Sequence, residues 1–286
     1  MQFLGTGAAD GIPSPFCNCD ICMDAREHPQ HNRLRSMFLI DQNNLIDCGP
    51  DLVAACMKLR LDLSALKRVF ITHTHEDHFY AENAGALHMS RTRNGVPLDI
   101  YLSEAGFDKL IQMRKILGEK YGYLDSVRDY DAGLVSLHAI KVNEPFLCDG
   151  YRIMAVGTTH HVSPEETAIN YLFERTDGQK FLYASDTGFY PPKTLAVLGG
   201  SQVDVLILEA TFGSRKDNDT RSHLNGSAFL VMLDILLAER IIHPNTRVFA
   251  THINHKHAFT HRTLQEWFYQ NASMNVTVAY DGLKID

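Results

Sequence analysis

The sequence predicts a mixed α/β fold in which helices cover a pair of β-layers, rather than a doubly wound parallel sheet. Three observations predict it. Twelve short runs rich in Val, Ile, Phe and Tyr outnumber four helical stretches. Strands and helices do not alternate strictly, as a βαβ succession would require. Apolar residues make up 45% of the 286 positions, enough for a sizeable core.

In chain order, the strand runs fall at 2–4, 37–40, 45–47, 69–72, 99–102, 134–142, 152–156, 169–173, 181–184, 203–208, 248–250 and 276–279. Helices are expected at 52–61 and at 104–117, the second behind Ser103 as N-cap and ending near Gly118. A third, at 224–240, places Phe229, Met232, Leu233, Leu236 and Leu237 on one stripe at helical spacing, which marks a core face. A short fourth is expected at 263–270. The loop GTGAADG at 5–11 has its glycines spaced GxGxxxG with no following Lys-Ser/Thr, so it reads as a tight turn and not a nucleotide loop.

No apolar run reaches the roughly 18 residues of a membrane span. The opening MQFLGTGAADG has neither a basic start nor a long apolar stretch, so no secretory signal is read and a cytoplasmic location is the expectation. Formal net charge is −7. Arg91 and Arg93 lie close together, as do Lys115 and Lys120, but acids are interspersed, so a large nucleic-acid footprint is not expected.

The densest chemical signal is ITHTHEDHFY at 71–80, with three histidines and two acids in six positions after the apolar Val69-Phe70-Ile71. His73 and His75 share one face of an extended segment. Asp77 and His78 follow where the chain must turn, and reach a second point. Such separated pairs suit two metal ions about 3.5–4 Å apart. A mononuclear zinc protease would instead space two histidines four apart on a helix, and no HExxH occurs. Near the N-terminus, PFCNCDIC sets thiols at 17, 19 and 22 in a polar loop. Three cysteines so close suggest a closed tetrahedral zinc that still needs a fourth ligand. His252 and His255, three apart in THINH, offer one imidazole to each metal region.

THTHEDH resembles the HxHxDH signature of the metallo-β-lactamase superfamily, and the resemblance runs over nearly the whole chain. It implies an αββα sandwich with a dinuclear site of two divalent metals, zinc or manganese, at one edge. Leu45-Ile46-Asp47-Cys48-Gly49 resembles the element whose acid supports the site without binding metal. IMAVGTTHH at 153–161, YASDTG at 183–188 and FATHINH at 249–255 resemble the segments that supply the third histidine, the bridging aspartate and the last histidine. The resemblance thus assigns His73, His75 and His160 to one ion, Asp77, His78 and His252 to the other, and Asp186 as bridge. His161 adjoins His160; distance from the strand favours His160.

Within the superfamily, CxCxxC with TH-x-x-H resembles the PhnP-type cyclic phosphodiesterase group, and implies a structural zinc on Cys17, Cys19, Cys22 and His255. Because these ligands run from Cys17 to His255 and must converge, 1–286 is expected to be one domain. In RSHLNGSAF, His223 matches a histidine that contacts substrate phosphate in that group, just before the helix from Leu224. The expected reaction is hydrolysis of a small phosphodiester, cyclic ones included. A metal-bridging hydroxide would attack, Asp77 would serve in the metal and catalytic sets alike, and His223 would assist the leaving group. A homodimer is compatible with this reading. Rival chemistries on the fold are tRNA 3′-end cleavage, thioester hydrolysis, β-lactam opening and a non-hydrolytic metal-binding role resembling pyrroloquinoline-quinone biosynthesis protein B. The remaining histidines (28, 31, 88, 138, 243, 257 and 261) match no motif and are expected to be structural or on the surface, with Cys48, Cys56 and Cys148 in the core.

Overall fold

A computed structural model describes residues 1–81, 83, 95–117, 135–217, 219–257 and 259–286. His88, Arg91, Arg93, Gly118, Lys120 and Leu134 lie outside the described residues. The chain packs as two compact units. One comprises Met1–Gly5, Arg35–Lys141 and Gly282–Asp286; the other comprises Thr6–Leu34 and Val142–Asp281.

The first unit is built on a six-stranded sheet in the order β1 (Gln2–Gly5), β2 (Met37–Asp41), β3 (Asn44–Ile46), β4 (Arg68–Phe70), β5 (Leu98–Ser103) and β6 (Val135–Ile140). The first three strands pair antiparallel and the rest parallel. Two helices belong to it, α2 (Leu52–Leu59) and α3 (Glu104–Leu117). Its strands bury Phe3 against Phe38, with ring centroids 4.9 Å apart, together with Leu45, Ile46, Val69, Phe70 and Ile100. Fully burying such side chains contributes about 1.5–3 kcal/mol each.

The second unit carries a seven-stranded sheet in the order β13 (Val276–Val278), β12 (Ile242–Thr251), β11 (Val203–Glu209), β10 (Lys180–Ala184), β9 (Thr167–Arg175), β8 (Tyr151–His161) and β7 (Pro145–Cys148). β10 to β13 are mutually parallel, and β7 to β10 antiparallel. Parallel neighbours need crossovers, which α4 (Pro192–Leu198), α5 (Gly226–Ala238) and α6 (His261–Asn271) provide. The central β11 is a nearly continuous buried run, as a strand covered on both faces must be. Phe229 and Met232 of α5 and Phe268 of α6 join Val156, Leu182 and Leu206 in this core.

Four elements differ from the sequence reading. α1 (Asp20–Glu27) begins inside the cysteine cluster: Cys19 is its N-cap, and Cys22 lies on the helix rather than in a loop. Asp20 in the first turn complements the helix dipole there. β7 is a short edge strand opened by a proline, and α4 spans only seven residues; both are too brief for a periodic signal. The third expected helix starts later than Leu224, because the Asn225 side chain accepts from Ala228 N–H at 2.9 Å and caps it. Cys48 and Cys148 are buried as expected, but Cys56 is only half-buried. No helix among the described residues is long and apolar enough to cross a membrane.

Candidate metal-binding active site

Each unit gathers its share of the predicted residues at the carboxyl ends of its strands, most of them parallel ones, where open α/β sheets characteristically bind ligands. In the first unit, Asp47 directly follows β3 and the Thr72–His78 turn follows β4. His73 Nε2 and His75 Nδ1 face each other at 3.0 Å, as the shared-face expectation requires. His78 Nε2 lies 3.4 Å from Asp77 Oδ2.

The Nδ1 atoms of His73 and His78 are occupied from behind. The buried Asp47 accepts from His78 Nδ1 at 2.7 Å and from Thr72 N–H at 2.8 Å. The Thr72 hydroxyl lies 3.0 Å from His73 Nδ1. Carboxylate and hydroxyl partners of this kind fix the tautomer and aim of a metal-ligating imidazole. Burial pushes the Asp47 carboxyl up, opposed by His78 and by the bonds from Thr72. Lys109 of α3 donates to the Thr74 hydroxyl at 2.6 Å and ties that helix to the histidine turn.

Gly49 is where the turn closes. A Cβ there would collide with the Asp77 carbonyl, so only glycine lets the two backbones meet. Gly49→Ala should therefore destabilise the protein by about 1–3 kcal/mol, the range for forced overpacking. Urea denaturation measures it; an unchanged midpoint would show that the turn can relax.

In the second unit, the strand ends of β8, β10, β11 and β12 supply His160, Asp186, Glu209 and His252. His160 is buried and His161 exposed, because alternation along β8 turns neighbours to opposite faces. His252 Nε2 lies 3.2 Å from Asp186 Oδ2, and His252 Nδ1 lies 2.8 Å from the Thr211 hydroxyl. His160 Nδ1 is 3.2 Å from the Ser222 carbonyl, to which it can donate, so Nε2 is the atom that could hold a metal. His223 stands between the two imidazoles, its ring centroid 4.6 Å from that of His160 and 5.6 Å from that of His252.

Glu209 had no role in the sequence reading and proves to be a buried hub. It accepts from Thr187 N–H, Thr211 N–H, the Thr211 hydroxyl and, at 3.1 Å, His223 Nδ1. Beneath Asp186, Asn170 donates to the Ser185 carbonyl at 2.5 Å and accepts from the buried Tyr190 hydroxyl at 2.7 Å. Asp47, Asp186 and His252 all sit in the left-handed region, with φ of 62°, 49° and 57°. Such strain costs of order 1–3 kcal/mol per residue and collects at functional sites.

The thiol cluster also assembles. One ligand atom from each of Cys17, Cys19, Cys22 and His255 lies within 4.8 Å of the others. His255 Nδ1 is 3.6 Å from Cys19 Sγ, while His255 Nε2 lies 3.3 Å from Asp10 Oδ2. Ser14 N–H donates to Cys22 Sγ at 3.3 Å, and Cys19 N–H to Cys17 Sγ at 3.5 Å. Donors aimed at sulfur favour thiolate. The bond from Cys19 holds Cys17 below the ordinary thiol range, whereas burial beside two further thiols pushes Cys22 up to about 12. A bound cation would reconcile these demands, since a coordinating thiol is deprotonated outright. None of the six cysteines is in a disulfide.

Two β-sheets with helices, and imidazole–carboxylate clusters at their strand ends, are the arrangement of a metallo-β-lactamase-type protein. The chain belongs to that superfamily: the beta-lactamase superfamily domain matches residues 42–253, and the fold is the metallo-β-lactamase fold. It is 24% identical over 260 residues to Ribonuclease Z of Streptococcus sanguinis, an alignment covering 78% of this chain and 80% of that protein. Among solved structures it resembles a diphosphatase from the PhnP family, with a TM-score of 0.71, 22% identity and coverage of 99% and 95% of the two chains. It also resembles zinc-bound PqqB of Methylobacterium extorquens, with a TM-score of 0.69, 19% identity and coverage of 100% and 99%.

Proposed function

We propose that the protein is a dinuclear metal-dependent hydrolase of a small phosphodiester. In this reading the two clusters act as one centre within a single folded domain. His73, His75 and His160 would hold one divalent ion, Asp77, His78 and His252 the other, and Asp186 both. The observation that carries it is the set of partners behind the imidazoles. Asp47, Thr72, Thr211 and the Ser222 carbonyl each lie against a ring nitrogen turned away from the proposed ligand atoms. A histidine that served only to fill a turn would need no such arrangement.

The donor set of imidazoles with few carboxylates suits zinc, and manganese remains the alternative. Bound divalent ions would neutralise phosphoryl charge and lower the pKa of water from about 15.7 to about 7. The chain's own residues do the rest. Glu209 holds His223 by Nδ1 and so makes Nε2 the atom that delivers a proton to the leaving alkoxide. A leaving group protonated from a fixed ring needs no proton from bulk water.

Replacing His223 by Ala should lower kcat by about 10²–10⁴-fold, the usual span of general acid–base catalysis. Metal content should stay that of the wild type; loss of metal in that variant would rule out the role. Net charge of −7 favours a small phosphorylated substrate over a long polyanion. A second reading, cleavage at the 3′ end of precursor tRNA, is favoured by the likeness to Ribonuclease Z over 260 residues. Cysteines outside any disulfide fit a reducing compartment such as the cytoplasm.

The deciding experiment pairs metal analysis with a hydrolysis panel: a cyclic nucleotide, bis-p-nitrophenyl phosphate, a diphosphate ester, a precursor tRNA, a glutathione thioester and a β-lactam. Cleavage of the diesters at the highest kcat/KM is expected. Cleavage of thioester or lactam without diester would overturn the reading, and a preference for precursor tRNA would establish the second.

A further inference from the structure

Three side chains outside the site converge at the far end of α1. Asp24 lies on the helix, His28 is its C-cap, and His31 closes the 3-10 turn Pro29–His31. The two imidazoles are not placed independently. His31 N–H donates to the His28 carbonyl at 2.8 Å, which sets the rings 5.4 Å apart. Each presents Nδ1 to a different oxygen of the same carboxylate: His28 to Asp24 Oδ1 at 3.2 Å, His31 to Asp24 Oδ2 at 2.6 Å. One ligand atom from each residue lies within 4.8 Å of the others. Bonds of 2.0–2.1 Å at tetrahedral angles separate donor atoms by about 3.3 Å, so small side-chain adjustments would suffice.

The residues behind the cluster give it order. The His31 ring stacks on His261 at 6.0 Å, and the buried Arg33 donates to His261 Nδ1 at 2.9 Å. His261 is thereby committed as an acceptor and gives the His31 ring a fixed neighbour. On the other side the cluster opens to solvent, with His28 half exposed and Asp24 and His31 about a quarter exposed. Water can complete a coordination shell there.

We propose that Asp24, His28 and His31 form an additional binding site for a divalent transition metal of borderline softness, zinc foremost. It is distinct from the thiol cluster and from the proposed catalytic centre. Two imidazoles and a carboxylate are the ligand set such ions prefer over calcium or magnesium. The site would pin the carboxyl end of the helix whose amino end carries Cys19 and Cys22, so one helix is stapled at both ends. The competing account is metal-free: His28 Nδ1 also lies 3.1 Å from the Asp24 carbonyl, as a histidine capping a helix C-terminus does, and His31 would simply pair with the carboxylate.

The full-length protein, carrying its resident metals, would be dialysed to equilibrium against graded Zn2+, with bound zinc measured by mass spectrometry. The double variant His28→Ala/His31→Ala should hold about one equivalent less than wild type, and His31→Ala alone should bind that equivalent at least about tenfold more weakly. Resistance of Cys17, Cys19 and Cys22 to a thiol reagent should not change, which separates this site from the thiol cluster. Equal zinc content and affinity in wild type and variants would overturn the proposal. Should the double variant fail to fold, carbethoxylation of wild type answers the same question. Added Zn2+ should slow modification of His28 and His31; equal rates with and without it would overturn the proposal.

Discussion

Asp186→Asn should lower kcat/KM for a phosphodiester by about 10³-fold, comparable to the 10²–10³-fold cost of removing one preorganised electrostatic group. The substitution keeps shape and most hydrogen bonding, so what it removes is a charge. That charge sits on left-handed backbone at φ 49°, with one oxygen 3.2 Å from His252 Nε2 and the other 3.5 Å from His223 Nδ1. Its backbone is braced by the Asn170 bond to the Ser185 carbonyl, so the loop should keep its course. His78→Ala, in the other unit, should cost a similar factor and also release metal, because it removes a proposed ligand and leaves the buried Asp47 without the bond from Nδ1. The combination should be hardly worse than either alone, since residues that serve one centre are grossly non-additive. Activity on bis-p-nitrophenyl phosphate, read beside metal content, tests this. Losses that multiply across the two variants would mean that the clusters act separately, and the single-centre reading would fall.

How much of this was legible before coordinates differs from residue to residue. His73, His75, Asp77 and His78 lie within six positions, so their local spacing alone makes them candidate metal ligands. Asp186 and His252 could be assigned only through resemblance, since no short-range pattern links them to that cluster. Between His160 and His161 the local sequence offered only distance from the strand, whereas along β8 His160 is buried and His161 exposed. Glu209 was invisible for a different reason. An acid at the end of an apolar strand reads as the start of a loop, and its partners Thr187, Thr211 and His223 come from three separate segments. α1 was hidden by the cysteines themselves: thiols spaced for a metal read as a loop, although Ile21, Cys22 and Ala25 already form the buried stripe of a helix.

Cys19→Ser is the second large effect, and it should appear in stability before it appears in rate. Cys19 is at once the N-cap of α1 and a thiol 3.6 Å from His255 Nδ1. Serine can still cap a helix, so the loss would report the metal and not the cap. Binding to a closed zinc site is itself folding free energy, about 10–16 kcal/mol in small zinc domains. Losing one of four ligands should therefore remove several kcal/mol, and at about 2–4 °C per kcal/mol for large domains the melting temperature should fall by roughly 10 °C. Zinc content should drop by about one equivalent, while kcat falls proportionally less, because Cys19 lies in none of the hydrogen bonds around His223 and Asp186. Acidification should mimic the variant. Cys22 is pushed up to about 12 without a cation, so zinc must displace its proton, and affinity falls as pH falls. An unchanged melting temperature in Cys19→Ser, with zinc content intact, would mean that these thiols pack without a metal.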